Sequence, residues 1–307
     1  IVGESYDAGK ERDGWLEAGY DDSDWKPVVL RDYGYEELEL QSIEPVRVLR
    51  TITPKVCRTL NGELLIDAGE NIVGYVSFEL QLEAGQEVKL EYTETVDKEG
   101  NFLRNIIGQN KQQTDYYRCA KSGVCKWRPL FSFHGFQYVR ITGTDDTNPE
   151  HYRIDVIGTP LETTGEFTCS DPRLNQLQEN ILRSQTGNMI CIPTDCPQRD
   201  ERMGWTGDAQ VFSPTATYLK DTYAFYAKYL YDMAKEQSAL DGKVPDVVPS
   251  CGVESTACVW GDASCIIPWN LYLFYGDKSI LEDQFESMRS WVEYIRKVDG
   301  EDHGWRY

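Results

Sequence analysis

Positive charge is scarce in this sequence. Lys and Arg number 31 against 51 Asp and Glu, for a net charge of −20. A surface of that sign repels a phosphate backbone or an anionic bilayer, so neither nucleic acid nor a membrane is an expected partner. Long apolar runs are absent as well, since no stretch of eighteen apolar residues occurs to span a bilayer. The opening IVGESYDAGK shows no basic segment followed by an apolar one and no initiator Met, so the chain reads as part of something longer. Cysteine is present but unpaired: Cys57, Cys119, Cys125, Cys169, Cys191, Cys196, Cys251, Cys258 and Cys265 form no CxxC. Their odd number suits neither a zinc ribbon nor a closed disulfide framework. They read as free, mostly buried thiols of a reducing compartment, which points to the cytoplasm. Cys251, Cys258 and Cys265 recur every seventh residue with no His near them, and neither a metal nor another cofactor is expected.

Aromatic residues, by contrast, are plentiful at 12% of the chain, with 8 Trp and 19 Tyr. Such rings pack cores and also stack on the C–H faces of sugars. The length of 307 residues suits two or three modules. Residues 1–45 are polar and turn-rich, and read as the end of a β-rich module. Residues 46–160 are strand-like. GYVSFELQL places Tyr75, Val76, Phe78 and Leu80, EVKLEYTETV places Val88, Leu90 and Tyr92, and FSFHGFQYVRITG places Phe131, Phe133, Phe136, Tyr138 and Ile141, which together predict an antiparallel β-sandwich. From residue 161 the period changes. Asp171 and Pro172 introduce a helix carrying Leu174, Leu177, Ile181 and Leu182, and further helices are predicted over 209–219 with a bend at Pro214, over 223–237, over 263–275 and from Ser279. The last should bury Ile280, Leu281, Phe285, Met288, Trp291, Val292 and Ile295. Strands first and helices afterwards mean segregated domains.

Residues 195–208, DCPQRDERMGWTGD, hold four carboxylates and very little that could fill a core. The prolines and Gly204 make this a loop, and loops on rigid scaffolds are where reactive groups converge. Asp195, Arg199, Asp200, Glu201, Arg202 and Asp208 offer donors and acceptors for hydroxyls, with Trp205 as a flat wall, which is the equipment of a sugar site. A structural ion-pair network at a helix start would use the same residue types. His134 reads as a packed histidine of the sandwich, and His151 and His303 have no partner at metal or triad spacing. Trp15 and Trp25 read as turn and core anchors, and the DDSD run at 21–24 as a solvated turn, since it lacks the glycine and distal Glu of an EF-hand loop.

The string DCPQRDERMGWTGDA resembles the signature of bacterial α-L-rhamnosidases of glycoside hydrolase family 78. WGDA at 260–263 with PWNLYLFYGD, LLIDAGENIVGYVSFEL, RPLFSFHGFQYVRITG and YDAGKERDGWLEAGYDDSDWKPV resemble further segments of that family. The resemblance implies an (α/α)6 catalytic barrel over 161–307, cleavage of terminal α-L-rhamnose with inversion, and a rhamnose-containing glycoside as partner. It implies Glu201 as general acid, Asp195 as a ligand of sugar hydroxyls, Trp205 and Trp260 as aromatic walls, and Arg199 and Asp208 as neighbouring polar groups. Desolvation by Trp205 and repulsion from nearby Asp residues are expected to raise the Glu201 pKa. An inverting enzyme also needs a base about 6.5–9.5 Å from the acid. Five predicted helices are fewer than half of such a barrel, so the base is expected beyond Tyr307 and the 307-residue chain alone is expected to be inactive. Two other readings are another (α/α)6 carbohydrate enzyme and a carbohydrate-binding protein without catalysis.

Overall fold

The computed structural model describes residues 3–32, 34–104, 106, 112–253, 255–257 and 259–300; Cys258 and His303 lie outside them. Strands come first, as β1 (Ser5–Asp7), β2 (Arg47–Ile52), β3 (Lys55–Arg58), β4 (Leu64–Leu82), β5 (Glu87–Thr93), β6 (Thr114–Arg118), β7 (Gly123–Trp127), β8 (His134–Thr142) and β9 (Tyr152–Gly158). Helices dominate the rest: α1 (Pro172–Asn188), the two-residue strands β10 (Met189–Ile190) and β11 (Ile192–Pro193), then α2 (Thr206–Leu219), α3 (Tyr223–Ala239), α4 (Ala263–Tyr275) and α5 (Ser279–Asp299). No helix is long and apolar enough to cross a membrane among the described residues.

The first nine strands form one sheet, ordered β1, β6, β5, β8, β4, β9, β2, with β3 and β7 also paired to β4. A strand has only two edges, so β4 exchanges neighbours along its 19 residues. Its start pairs with β3 and β8, its middle with β8 and β9, and its end with β7. The exchange is made possible by a register shift between Asp67 and Ile72, an irregularity that bends and twists a strand and here curls the sheet. One pairing departs from the antiparallel expectation, since β1 runs parallel to β6. More than a hundred residues of chain join those two strands, ample for the long crossover a parallel pair requires.

Both faces of β4 are covered, which is why consecutive residues Tyr75 and Val76 are both buried. Val76, Phe78, Leu80 and Leu82 face a core shared with Leu90, Phe136, Val139 and Ile154. Val73 and Tyr75 face the other way and join Ile157 and Ile190, with Phe133 packed alongside. This second cluster is the seam between the sheet and the hairpin that leads into the acidic loop. Phe131, expected to point inward from a strand, lies before β8 and is exposed.

Asp171 caps α1 by accepting from the Arg173 amide at 2.9 Å, with Pro172 at the first helical position as anticipated. The expected apolar stripe does not form a core, because Leu174 and Leu177 are exposed and the buried residues are Gln185 and Gly187. Helix α2 begins at Thr206, three residues earlier than predicted, and runs through Pro214 without ending. Helix α3 continues to Ala239, and α4 has the predicted bounds. Helix α5 buries Ile280, Gln284, Ser287 and Trp291 and leaves Phe285 and Val292 exposed. Ser287 faces Gln237 of α3, whose side-chain nitrogen donates to the Ser287 carbonyl at 3.0 Å while its oxygen accepts from the Ser287 hydroxyl. Matched hydrogen bonds make the burial of Ser287 and Gln237 tolerable. Trp15 and Trp25 are not core anchors: both are exposed, with ring centroids 6.3 Å apart and the Arg12 guanidinium over Trp25. The DDSD segment is a turn closed by the Trp25 amide on the Asp22 carbonyl.

Candidate active site

The acidic loop is held at its neck. The Asp195 amide donates to the Met203 carbonyl at 3.0 Å, and the Met203 amide returns a bond to Asp195 Oδ1 at 2.8 Å, so Asp195 closes residues 195–203 into a ring of chain. Beyond it the Gly204 carbonyl accepts from the Val248 amide and from the buried Tyr229 hydroxyl, each at 2.8 Å. Trp205 pairs with Val247 and occupies the N-cap of α2. Of the fourteen residues predicted as loop, the last three are therefore the first turn of a helix, which places Asp208 on that turn.

Within this frame Arg199 is the hub. Its guanidinium binds Glu201 Oε2 through Nη2 at 2.7 Å and Nε at 3.0 Å, and reaches towards Asp195 Oδ2 at 3.8 Å. The other oxygen of Glu201 accepts from the Trp205 indole Nε1–H at 3.0 Å. Trp205 thus approaches Glu201 through its polar edge and not as an apolar wall, and the guanidinium offsets the neighbouring negative charge. Burial pushes the Asp208 carboxyl up, with Asp195 and Glu201 adding repulsion, although its side chain still reaches solvent. Burial also pushes the Cys196 thiol up to about 12. Asp195, Cys196 and Glu201 place one ligand atom each within 4.8 Å of one another. The two carboxylates are already engaged by Arg199, Trp205 and the Met203 amide.

Asp195 and Asp208 border a cavity of about 700 Å³ between α1 and α2, with Trp260 on its rim. The residue before Trp260, Val259, has φ 79°, an uncommon conformation for a β-branched residue. Its carbonyl accepts from the Gln210 side chain. Trp260 lies against Gly207 so closely that a Cβ on Gly207 would stand 2.7 Å from the ring. The structure therefore gathers Asp195, Arg199, Glu201 and Trp205 into one bonded cluster and sets Asp208 and Trp260 beside it along the cavity.

Sequence reasoning missed the contacts behind the loop. Arg202, at φ 54°, turns its side chain away from Glu201 and into the sheet. There it lies over the Phe133 ring, 4.7 Å from its centroid, and donates to Gln113 Oε1. The same oxygen is 3.1 Å from His134 Nδ1, while His134 Nε2 is 3.0 Å from Asp115 Oδ2. Residues 113, 134 and 202 share no spacing motif, so no sequence signal announced them.

Burial pushes the His134 imidazole below its usual range; Asp115 opposes that change and Arg202 reinforces it. An unfolded His titrates near about 6.5. Between that value and the lower folded one the unfolded chain binds more protons, so stability is full above about pH 6.5 and declines as pH falls. We expect the urea midpoint to drop between pH 7.5 and 5.5, and to drop less in His134→Gln. Parallel declines in the two proteins would show that His134 is not responsible.

Comparison with known proteins supplies independent findings. Residues 1–50 match the alpha-L-rhamnosidase N-terminal domain, residues 57–158 the bacterial alpha-L-rhamnosidase concanavalin-like domain, and residues 162–307 the bacterial alpha-L-rhamnosidase 6 hairpin glycosidase domain. An alpha-L-rhamnosidase of Alteromonas sp. (strain LOR) is 39% identical over 306 residues, covering 95% of this chain and 32% of that protein. The native α-L-rhamnosidase of Aspergillus terreus is similar in structure with a TM-score of 0.88 at 35% identity, covering 95% of this chain and 34% of that one. The Streptomyces avermitilis α-L-rhamnosidase complexed with L-rhamnose has the same TM-score at 36% identity, covering 97% of this chain and 29% of that one. The chain thus spans about a third of the length of the proteins it matches.

Proposed function

Because this chain belongs to the bacterial α-L-rhamnosidase family, we propose that the full-length protein hydrolyses terminal α-L-rhamnosides with inversion, Glu201 serving as the general acid. On this reading residues 1–45 end an N-terminal β-rich domain, residues 46–160 are a β-sandwich, and residues 161–307 begin an (α/α)6 barrel.

One observation carries the assignment of the acid. Among the carboxyls of the loop cluster, Glu201 is the one held at both oxygens by side chains, Arg199 on one and the Trp205 indole on the other. General acid catalysis requires that a proton be delivered along a fixed direction to the departing glycosidic oxygen, and two tethered oxygens fix that direction. Asp195, braced by the Met203 amide and bordering the cavity, takes rhamnose hydroxyls. Asp208 serves the same surface, Trp260 covers the apolar face of the sugar, and Arg199 and Trp205 hold the acid. An oxocarbenium-like transition state gains from the negative charge concentrated here.

The test uses the full-length protein with nitrophenyl glycosides of several sugars, together with an NMR time course of the first anomer released. Fastest turnover of α-L-rhamnoside with β-L-rhamnose appearing first is the expected result. Preference for another sugar would assign a different carbohydrate enzyme, and saturable binding without product would assign a binding protein.

A further inference from the structure

Behind Glu201 the loop is fastened to the sheet at two points. The Gly135 amide of β8 donates to the Pro197 carbonyl at 3.1 Å, on one side of Glu201. On the other side is Arg202, bonded to Gln113 and stacked on Phe133. Gln113 in turn belongs to a chain of buried polar groups: His134 has no exposed surface, Asp115 has none, and Asp115 also accepts from the Glu4 amide at 2.8 Å and the Ser132 hydroxyl at 3.0 Å. The His134 ring is stacked 4.0 Å from that of Tyr92 in the sheet core. Arg202 therefore grips a part of the molecule that is rigid in its own right.

This grip is not the arrangement that stability alone would favour. Arg202 Nε and Gln113 Nε2 are buried without a protein partner, and Arg202 adopts a left-handed backbone conformation uncommon for a long side chain. Buried unpaired N–H groups and backbone of this kind are each unfavourable. Features of that sort persist where the surroundings impose them and concentrate at functional sites. Two of the three lie on Arg202, the residue that follows Glu201.

We propose that Arg202 is a positioning residue for the reaction: by docking on Gln113 and Phe133 it makes the strand region part of the active-site scaffold and sets the direction in which Glu201 presents its carboxyl. The proposal rests on the reading of Glu201 as general acid. It identifies a role for the sheet beyond covering the helices, since the sheet supplies the fixed reference for the acid. The direction of proton delivery then depends on contacts made 89 residues away along the chain.

A positioning role makes a statement that a structural one does not. A carboxyl that is misaligned by about 1 Å fails most where the leaving group needs its proton, and such misplacement can cost up to ~10²-fold. In the full-length protein, Arg202→Met keeps the length of the side chain and part of the stack on Phe133 but removes the bond to Gln113. Its kcat on a rhamnosyl disaccharide should fall about tenfold, and on dinitrophenyl rhamnoside less than about threefold, with KM little changed on either. Gln113→Leu, which removes the acceptor from the sheet side, should give the same split, and Arg202→Lys should recover part of the loss. In a Glu201→Gln background, Arg202→Met should cost nothing more on the activated substrate. Equal losses on the two substrates, no loss on either, or full additivity with Glu201→Gln would overturn the proposal. A parent protein that cleaves no rhamnoside would instead overturn the function on which it rests.

Discussion

Glu201→Gln in the full-length protein is expected to lower kcat on a natural rhamnoside by about 10²–10⁴, the range associated with loss of general acid catalysis. The substitution preserves the volume of the side chain. Its single amide oxygen, however, can serve either the Trp205 indole or the Arg199 guanidinium, which Glu201 satisfies together at 3.0 and 2.7 Å. Some loosening of the loop will follow, and a melting curve measures it. What separates loosening from chemistry is the leaving group. Dinitrophenol departs without a proton, so hydrolysis of its rhamnoside should fall by less than about tenfold, while a sugar leaving group suffers the whole loss. If both substrates lose equally, or the natural one is still cleaved at nearly the parent rate, Glu201 is not the acid. Asp208 is then the next to test, because burial already favours its protonated form, followed by Asp195.

How far the sequence discloses this site depends on which kind of contact is in question. Hydrophobic period reports what each segment is, and accordingly the order of strands and helices, the Asp171 cap and both ends of α4 were legible. Period does not report which neighbour will cover an apolar face. Leu174, Leu177, Phe285 and Val292 fit their helical stripes and are nevertheless exposed. Nor does it show that one strand trades partners, as β4 does across its bulge. At the site, the cluster from Asp195 to Trp205 was legible because its members are close in sequence. The direction of Trp205 was not, since a ring can meet a carboxyl with its face or with its N–H, and only the backbone at the N-cap of α2 decides which. The bond from Arg202 to Gln113 joins residues that only the fold brings together.

Trp260 and Gly207 yield the second large effect, one that tests packing and substrate contact at once. Trp260 lies at the cavity rim, and Trp260→Ala in the full-length protein should remove a sugar-stacking surface worth about 2 kcal/mol, or roughly 30-fold in KM for a rhamnoside, with kcat much less affected. The seat of the ring is the first turn of α2. A methyl group added at Gly207 would come within 2.7 Å of ring carbon and 2.8 Å of the indole nitrogen, and a rigid bicycle can answer only by tilting or lifting away. Gly207→Ala should therefore raise KM about tenfold without touching the chemistry, and should lower the urea midpoint. In a Trp260→Ala background the obstacle is gone. Alanine is favoured over glycine within a helix by about 0.8–1 kcal/mol, so there the same substitution should raise the midpoint and leave KM where Trp260→Ala had put it. A change of sign between the two backgrounds is what the seat of Trp260 on Gly207 demands. An equal effect of Gly207→Ala in both would mean that the ring does not rest there, and an unchanged KM in Trp260→Ala would remove Trp260 from the sugar site and leave it a surface residue of the α2–α4 contact.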